Sequence, residues 1–482
     1  MIYLTSYLNR SLFLFLAALI VSGCVGKSDF QPLVIEALEL ERYGPPAEKY
    51  GGINWQARTR GGQGELEYLL ESQIQGIVIT EQTSQISQGQ WKAAKPGDYR
   101  FRVRAKDNFG QEAVTKWSQT FSFSPALGKG SLCAVLPIEN LSDSPVPLDE
   151  INNKLFSILS DHGYHLVDRD QLDRFMQAVR MRYVGGINED IAQSLRKELG
   201  VEAVFITALE TWTEKKQARV SVVSRLVITS QQPEIVWMDS VGLTAEDEVG
   251  LLGLGRIGAP QQLLERGLDK LMVSLDRYLD GAAPLLIHAG NRQGLRLVNE
   301  WSANVDGSPS RGEKRFQPQL RYRASGFDPS RKYRIAVVPF LNINARKHAE
   351  TITSLHTVRE LQRYYNVHVL EPGLVRDRLL RYRMIMQSGP SLAASDVLAD
   401  EGILGADLIV SGKIFDYQDR SGESKVDFSL QVFDGPGRRV IWTSRSYSSG
   451  NDNVYFFDRG RIRSAHDLLV RMMRSVIRGF EE

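Results

Sequence analysis

Apolar positions change period along the chain, and the changes divide it. From about Asp29 to Pro125 they alternate, most clearly where Tyr99, Phe101, Val103 and Ala105 are interleaved with Arg100, Arg102, Arg104 and Lys106. A period of two with one wet face predicts a strand that packs on a core from one side. Pro96-Gly97-Asp98 before it and Asp107-Asn108-Phe109-Gly110 after it are turn formers. Further strands are predicted at Ile53 and Trp55, at Leu66, Tyr68 and Leu70, and from Trp117-Ser118 to Phe121 and Phe123. Residues 29–126 therefore read as a β-sandwich.

Beyond residue 130 one order of signals occurs twice. Each copy opens with a strand that stops at proline, Ala134-Val135-Leu136-Pro137 and Ala336-Val337-Val338-Pro339. Each then reaches a second strand, Tyr164 to Asp168 and Val367 to Glu371. Helical stretches follow near Gln171 or Gly373 and near Asp190 or Asp396. Leu199-Gly200 matches Leu404-Gly405 at an offset of 205. Without a gap, that offset carries Val223 and Val227 onto Phe428 and Val432, and Val236-Trp237 onto Ile441-Trp442. The closing stripe Leu263, Leu264, Leu268, Leu271, Met272 and Leu275 repeats as Leu468, Leu469, Met473, Val476, Ile477 and Phe480. Spacings of three and four predict a helix laid on a sheet. The expected organisation is multidomain: a sandwich, α/β units over 130–283 and 332–482, and a Gly-, Ser-, Asn- and Arg-rich linker or accessory-strand segment over 284–331.

The first residues change the picture most. An apolar run from Leu12 ends in Val21-Ser22-Gly23-Cys24, too short to span a bilayer, which needs about 20 residues. This tetrapeptide resembles the lipobox of bacterial lipoproteins. The resemblance implies a signal peptide over 1–23, acylation of Cys24 with palmitate-type chains, and a tether over 24–28. Val25 after the cysteine implies, by resemblance to lipoprotein sorting, a periplasm-facing place on the outer membrane. Several acyl chains hold firmly where one binds marginally. Cys133, the only other cysteine, precedes an apolar strand and reads as a buried, inert thiol.

The run from Gly97 to Asp107, followed by Trp117-Ser118, resembles a fibronectin type III (immunoglobulin-like) module, which would make Tyr99 its corner tyrosine and Trp55 its core tryptophan. The repeated order resembles the core of the curli secretion lipoprotein CsgG, and is similar to the TolB N-terminal domain and to LpoB. These resemblances imply non-enzymatic work: an adaptor or assembly factor with a protein partner in the cell envelope, or alternatively a component of a secretion channel or oligomeric export complex. The sequence shows no hairpins with the 9 to 11 alternating residues per strand of a barrel wall.

Net charge is +2 overall, but from Gly281 onward 30 Lys and Arg face 22 Asp and Glu, so that part is +8 and the rest −6. Arg100, Arg102 and Arg104 on one strand, and Arg376, Arg378, Arg381 and Arg383 in one run, are candidate contacts for peptidoglycan or another anionic partner. Nucleic acid is not expected in that compartment. No catalytic constellation is apparent. Gly253-Leu254-Gly255-Arg256-Ile257-Gly258 has the letters of a dinucleotide fingerprint but comes late in its unit, after acidic residues, and reads as a loop. The seven histidines show no metal-ligand spacing, so no metal or cofactor is expected.

Overall fold

A computed structural model describes residues 31–43, 51–123, 125–214, 217–246, 258–281, 316–325, 327–328, 331–364, 366–384, 391–420, 423–452, 454 and 461–481. Cys24 and the apolar run before it, residues 253–257 of the glycine-rich stretch, segment 282–315 and the side chain of Phe480 lie outside the described residues. The chain is multidomain and β-rich, with eight helices among the described residues. No described helix is long and apolar enough to cross a membrane.

The first module contains β1 (Val34–Tyr43), β2 (Gly52–Arg60), β3 (Leu66–Ile74), β4 (Ile77–Ser84), β5 (Gln88–Lys92), β6 (Gly97–Asp107), β7 (Glu112–Val114) and β8 (Phe121–Phe123). They form two antiparallel sheets, β1-β2-β5 and β4-β3-β6-β7, with β8 also on β6. On β6 the predicted alternation holds: Tyr99, Phe101, Val103 and Ala105 are buried with Ile53, Trp55, Leu70 and Trp91. The Trp91 ring meets Tyr99, Phe101 and Phe123 edge-on, the closest centroid at 4.8 Å. Tyr99 Oη donates to the Lys95 carbonyl at 2.9 Å. The strand expected from Trp117 starts only at Phe121. Before it the chain meets β6 at Thr115 and Ser118, whose N–H groups donate to the Val103 and Phe101 carbonyls and whose hydroxyls accept from the same residues' N–H groups. The Trp117 ring lies under the Arg102 guanidinium at 4.4 Å.

The next unit runs β9 (Cys133–Val135), β10 (Glu139–Asn140), α1 (Leu148–Asp161), α2 (Arg169–Ala178), α3 (Glu189–Leu199), β11 (Ala203–Thr213), β12 (Arg219–Ile228), β13 (Glu234–Thr244) and α4 (Pro260–Leu279). After β14 (Leu320–Arg323) the pattern returns: β15 (Tyr333–Val337), β16 (Leu341–Asn342), α5 (Ala349–Leu361), β17 (Val367–Val369), α6 (Pro372–Arg381), α7 (Leu392–Ala399), β18 (Leu408–Arg420), β19 (Glu423–Asp434), β20 (Arg439–Ser449) and α8 (Ala465–Glu481). In both sheets two short strands run parallel to the first long strand, and the other two long strands follow antiparallel. The second sheet adds β17 beyond β15 and β14 beyond β20. Polar caps set the helix ends: Asn188 accepts from Ile191 N at 3.0 Å, and Gly200 closes α3 at φ 70°.

The ungapped offset fails in the central strands. Leu209 pairs with Val222 as Ile414 pairs with Phe428, and Phe205 with Leu226 as Val410 with Val432. The counterparts of Phe428 and Val432 are thus Val222 and Leu226, not Val223 and Val227. The next hairpin restores the offset, because Ile228 and Glu234 enclose five residues whereas Asp434 and Arg439 enclose four. One residue exchanges the faces of a strand, so the ungapped alignment set core positions of one unit against the opposite face of the other.

Barrel-length hairpins, not apparent from the sequence, are present: β11 to β13 have 11, 10 and 11 residues, and β18 to β20 have 13, 12 and 11. In β11 and β12 alternation is hidden because both faces are buried almost throughout, whereas β19 does alternate, with Val426, Phe428, Leu430 and Val432 buried. On one side, α1 and α4 cover Phe205, Leu209, Leu226 and Trp237. On the other lie α2, α3 and elements of the second unit. Helices α5 and α8 pack on β18–β20 and also reach β11 and β13. A helix between two sheets must be buried all round. Accordingly α5 buries Ile352, Leu355 and Val358 together with Thr353, His356, Thr357, Arg359 and Glu360.

Candidate functional site between the repeated units

Most of the arginines expected to meet an anionic partner engage groups of the chain itself. Arg104 binds Glu71 and Glu112, each at 3.0 Å, Arg102 shares Glu71, and Arg100 bonds Thr120. Arg376 stacks over Tyr183 at 4.2 Å. Arg378 pairs with Glu189 and Asp377, and Arg381 with Asp190 and Asp377, so both tie α6 to α3 of the first unit. Arg383 is exposed, with φ 57°.

The chemistry gathered by the fold lies at the junction of the α/β units. In β11 the pairing register shifts between Leu209 and Thr211, and this bulge at Glu210 re-aims a side chain. Glu210 is fully buried and meets two histidines of the second unit: His356 Nε2 lies 2.9 Å from Oε1, and His466 Nδ1 2.6 Å from Oε2. Gly242 of β13 makes room, since a Cβ there would stand 2.5 Å from the His466 ring. Burial by itself would raise the Glu210 carboxyl, but the two imidazoles beside it, with the hydrogen bond to His466, outweigh burial and hold it well below the usual range. Burial lowers both imidazoles. For His356 it prevails over Glu210, whereas for His466 the carboxylate prevails and the ring is held above its usual value. The arrangement favours an ionised carboxylate and places the shared proton on His466 in preference to His356.

These three side chains offer ligand atoms within 4.8 Å of one another. As they stand, each carboxylate oxygen already faces an imidazole, and the nearby Arg359 guanidinium disfavours added positive charge. The geometry suits an ion triad that locks two units, and it leads to a pH prediction. Glu210 stabilises the fold above its ordinary value of 4.5, and that contribution is lost as pH falls through its lowered folded value. His466 stabilises below 6.5, and its contribution is lost as pH rises through its raised folded value. His356, kept neutral, opposes it by disfavouring acidification below 6.5. Denaturation midpoints across pH 3 to 9 (roughly the range where these groups titrate) should show a shallower acid limb for Glu210→Gln and a shallower fall above 6.5 for His466→Gln. Profiles parallel to that of the unaltered chain would refute the triad's role.

Around the triad the junction is crossed by further pairs. Arg225 of β12 forks onto Glu371, with Nε to Oε2 at 3.0 Å and Nη2 to Oε1 at 2.8 Å, and also donates to the Gly185 carbonyl at 2.6 Å. Glu371 caps α6, where backbone meets backbone: a Cβ on Gly373 would lie 2.3 Å from Ile187 N. Asp239 of β13 binds Arg359 of α5 at 2.7 Å and accepts from Ser274 of α4 at 2.7 Å. Burial opposes ionisation of Asp239, yet Arg359 and Arg363 pull its carboxyl down to about 2. Arg219 of β12 binds Asp419 of β18 at 2.9 Å. Sequence reasoning missed all of these, since the partners are far apart in the chain.

No family model matches the chain, and no curated protein matches it. Solved structures match parts of it. The PelC dodecamer of Paraburkholderia phytofirmans has 14% identity over 34% of this chain and 97% of its own, with a TM-score of 0.24. The LpoB C-terminal domain of Salmonella enterica has 18% identity over 25% and 87%, with a TM-score of 0.22. Lipoprotein GNA1162 of Neisseria meningitidis has 18% identity over 30% and 99%, with a TM-score of 0.23. Each corresponds to about a third of the chain or less, and at these scores the likeness carries no argument about activity.

Proposed function

We propose that this chain is a non-enzymatic adaptor or assembly factor of the bacterial envelope, anchored through acylated Cys24 on the periplasmic side of the outer membrane. In this reading the sandwich is a fibronectin type III-like module and the two α/β units are of the CsgG, TolB N-terminal and LpoB kind. The observation that carries it is the shared helical layer: α5 and α8 serve two sheets at once, so the repeated units form one platform with fixed surfaces. The charged groups at the junction hold one another across buried contacts, an arrangement suited to registering surfaces rather than to meeting a substrate. A channel component is the second reading. It needs strands with one face toward lipid, and the long strands here pack on helices.

The anchor is tested by Cys24→Ala, which should leave the precursor uncleaved or release the protein from membranes on fractionation. An unacylated mature terminus elsewhere, seen by intact mass, would remove this part of the proposal. The adaptor reading is tested by crosslinking in intact cells with mass spectrometry. It expects an envelope protein crosslinked to the α/β platform; a purified ring of the chain that conducts ions in a bilayer would replace it with the channel.

A further inference from the structure

A cavity of about 130 Å³ lies where the sandwich and both α/β units meet. Lys95 enters its wall from the β5–β6 connection, Trp237 from β13, Arg277 and Tyr278 from α4, Arg363 from beyond α5, and His368 from β17. Its two carboxylates are already engaged, Glu234 by His368 at 3.3 Å and Asp239 by Arg359 and Ser274. Positive charge is in excess. Glu360 alone faces three guanidiniums, those of Arg359, Arg363 and Arg474. Arg277, exposed at the rim, makes no ion pair among the described residues. Lys95 Nζ donates to the Gln362 and Tyr364 carbonyls. Burial first, then the charge of Lys332, pushes its amine down to about 7 against the opposing pull of Glu234. Ser274 and Gln362 add uncharged polar groups, and the remaining wall, including Ile235, Val367, Trp237 and Tyr278, is apolar or aromatic.

We propose that this cavity is a binding site for a compact amphiphilic anion, with one phosphate or carboxylate head between Arg277 and Arg363 and a small apolar body against Trp237 and Tyr278. Size sets the body, because an apolar cavity of roughly 150 Å³ admits benzene. Convergent charged groups beside an apolar and aromatic patch are what orient and hold a ligand in such a site. A ligand here touches all three modules, so its binding favours their assembled arrangement through linkage. The proposal stands independently of the adaptor reading.

Titration calorimetry of the full chain with phenyl phosphate, inorganic phosphate and benzyl alcohol tests it. Phenyl phosphate should bind once per chain and raise the unfolding temperature, while the other two bind at least about tenfold more weakly, the loss of one charge-assisted contact or of the apolar body. Arg277→Glu, at an exposed and unpaired position, should leave the unliganded unfolding temperature unchanged and weaken phenyl phosphate by about tenfold or more. Arg363→Gln should weaken it similarly. The proposal falls if phenyl phosphate gives no saturable binding at millimolar concentration to folded chain. It falls equally if binding is indifferent to Arg277→Glu.

Discussion

Replacing Arg225 by alanine is expected to destabilise the protein by about 3 to 5 kcal/mol, the usual result of leaving one member of a buried ion pair without its partner. Arg225 is 2% exposed and Glu371 is fully buried. With the guanidinium gone, the Glu371 carboxylate keeps only the Gly373 amide at 3.3 Å, in a place that water does not reach. The double change Arg225→Met with Glu371→Leu should recover most of the loss, since a packed apolar pair of similar volume often matches or exceeds a buried ion pair. Urea denaturation followed by tryptophan fluorescence checks both. A single change that shifts stability by less than about 0.5 kcal/mol, the size of an ordinary surface substitution, would show that the junction does not hold the units through this pair.

Trp442→Ala should cost about 3 to 5 kcal/mol, from lost transfer free energy and the cavity left behind. Its ring is 1% exposed and belongs to the core under α8, where a Cβ on Gly479 would stand 3.6 Å from it. Trp237, its counterpart in the first unit, is 7% exposed and donates to Ser274 Oγ at 3.2 Å. Because it stands at the edge of the cavity, Trp237→Ala should cost less. Equal midpoints for Trp442→Ala and the unaltered chain would mean that β20 is misplaced.

What could be read from the chain was whatever neighbouring residues decide among themselves. Alternation on β6, the stripes on α4 and α8, the proline stops after β9 and β15, and the turns around them are short-range patterns, and the structure shows these segments in those roles. The repeat was legible for the same reason. Its one-residue slip in β12 and β19 was not, because only strand pairing reveals which face a residue takes.

The charged core was decided by tertiary structure alone. Arg225 and Glu371 are 146 residues apart, and Glu210 and His466 are 256 apart. No spacing motif spans such distances, and an isolated Arg, Glu or His in a sequence looks like a surface residue. The same holds for α5, whose polar positions blur any amphipathic stripe because a second sheet covers its outer side. Local sequence could specify each unit's strands and helices. Which unit's charges would neutralise the other's depended on the two being brought together, since a buried charge is tolerable only beside the partner that the fold supplies.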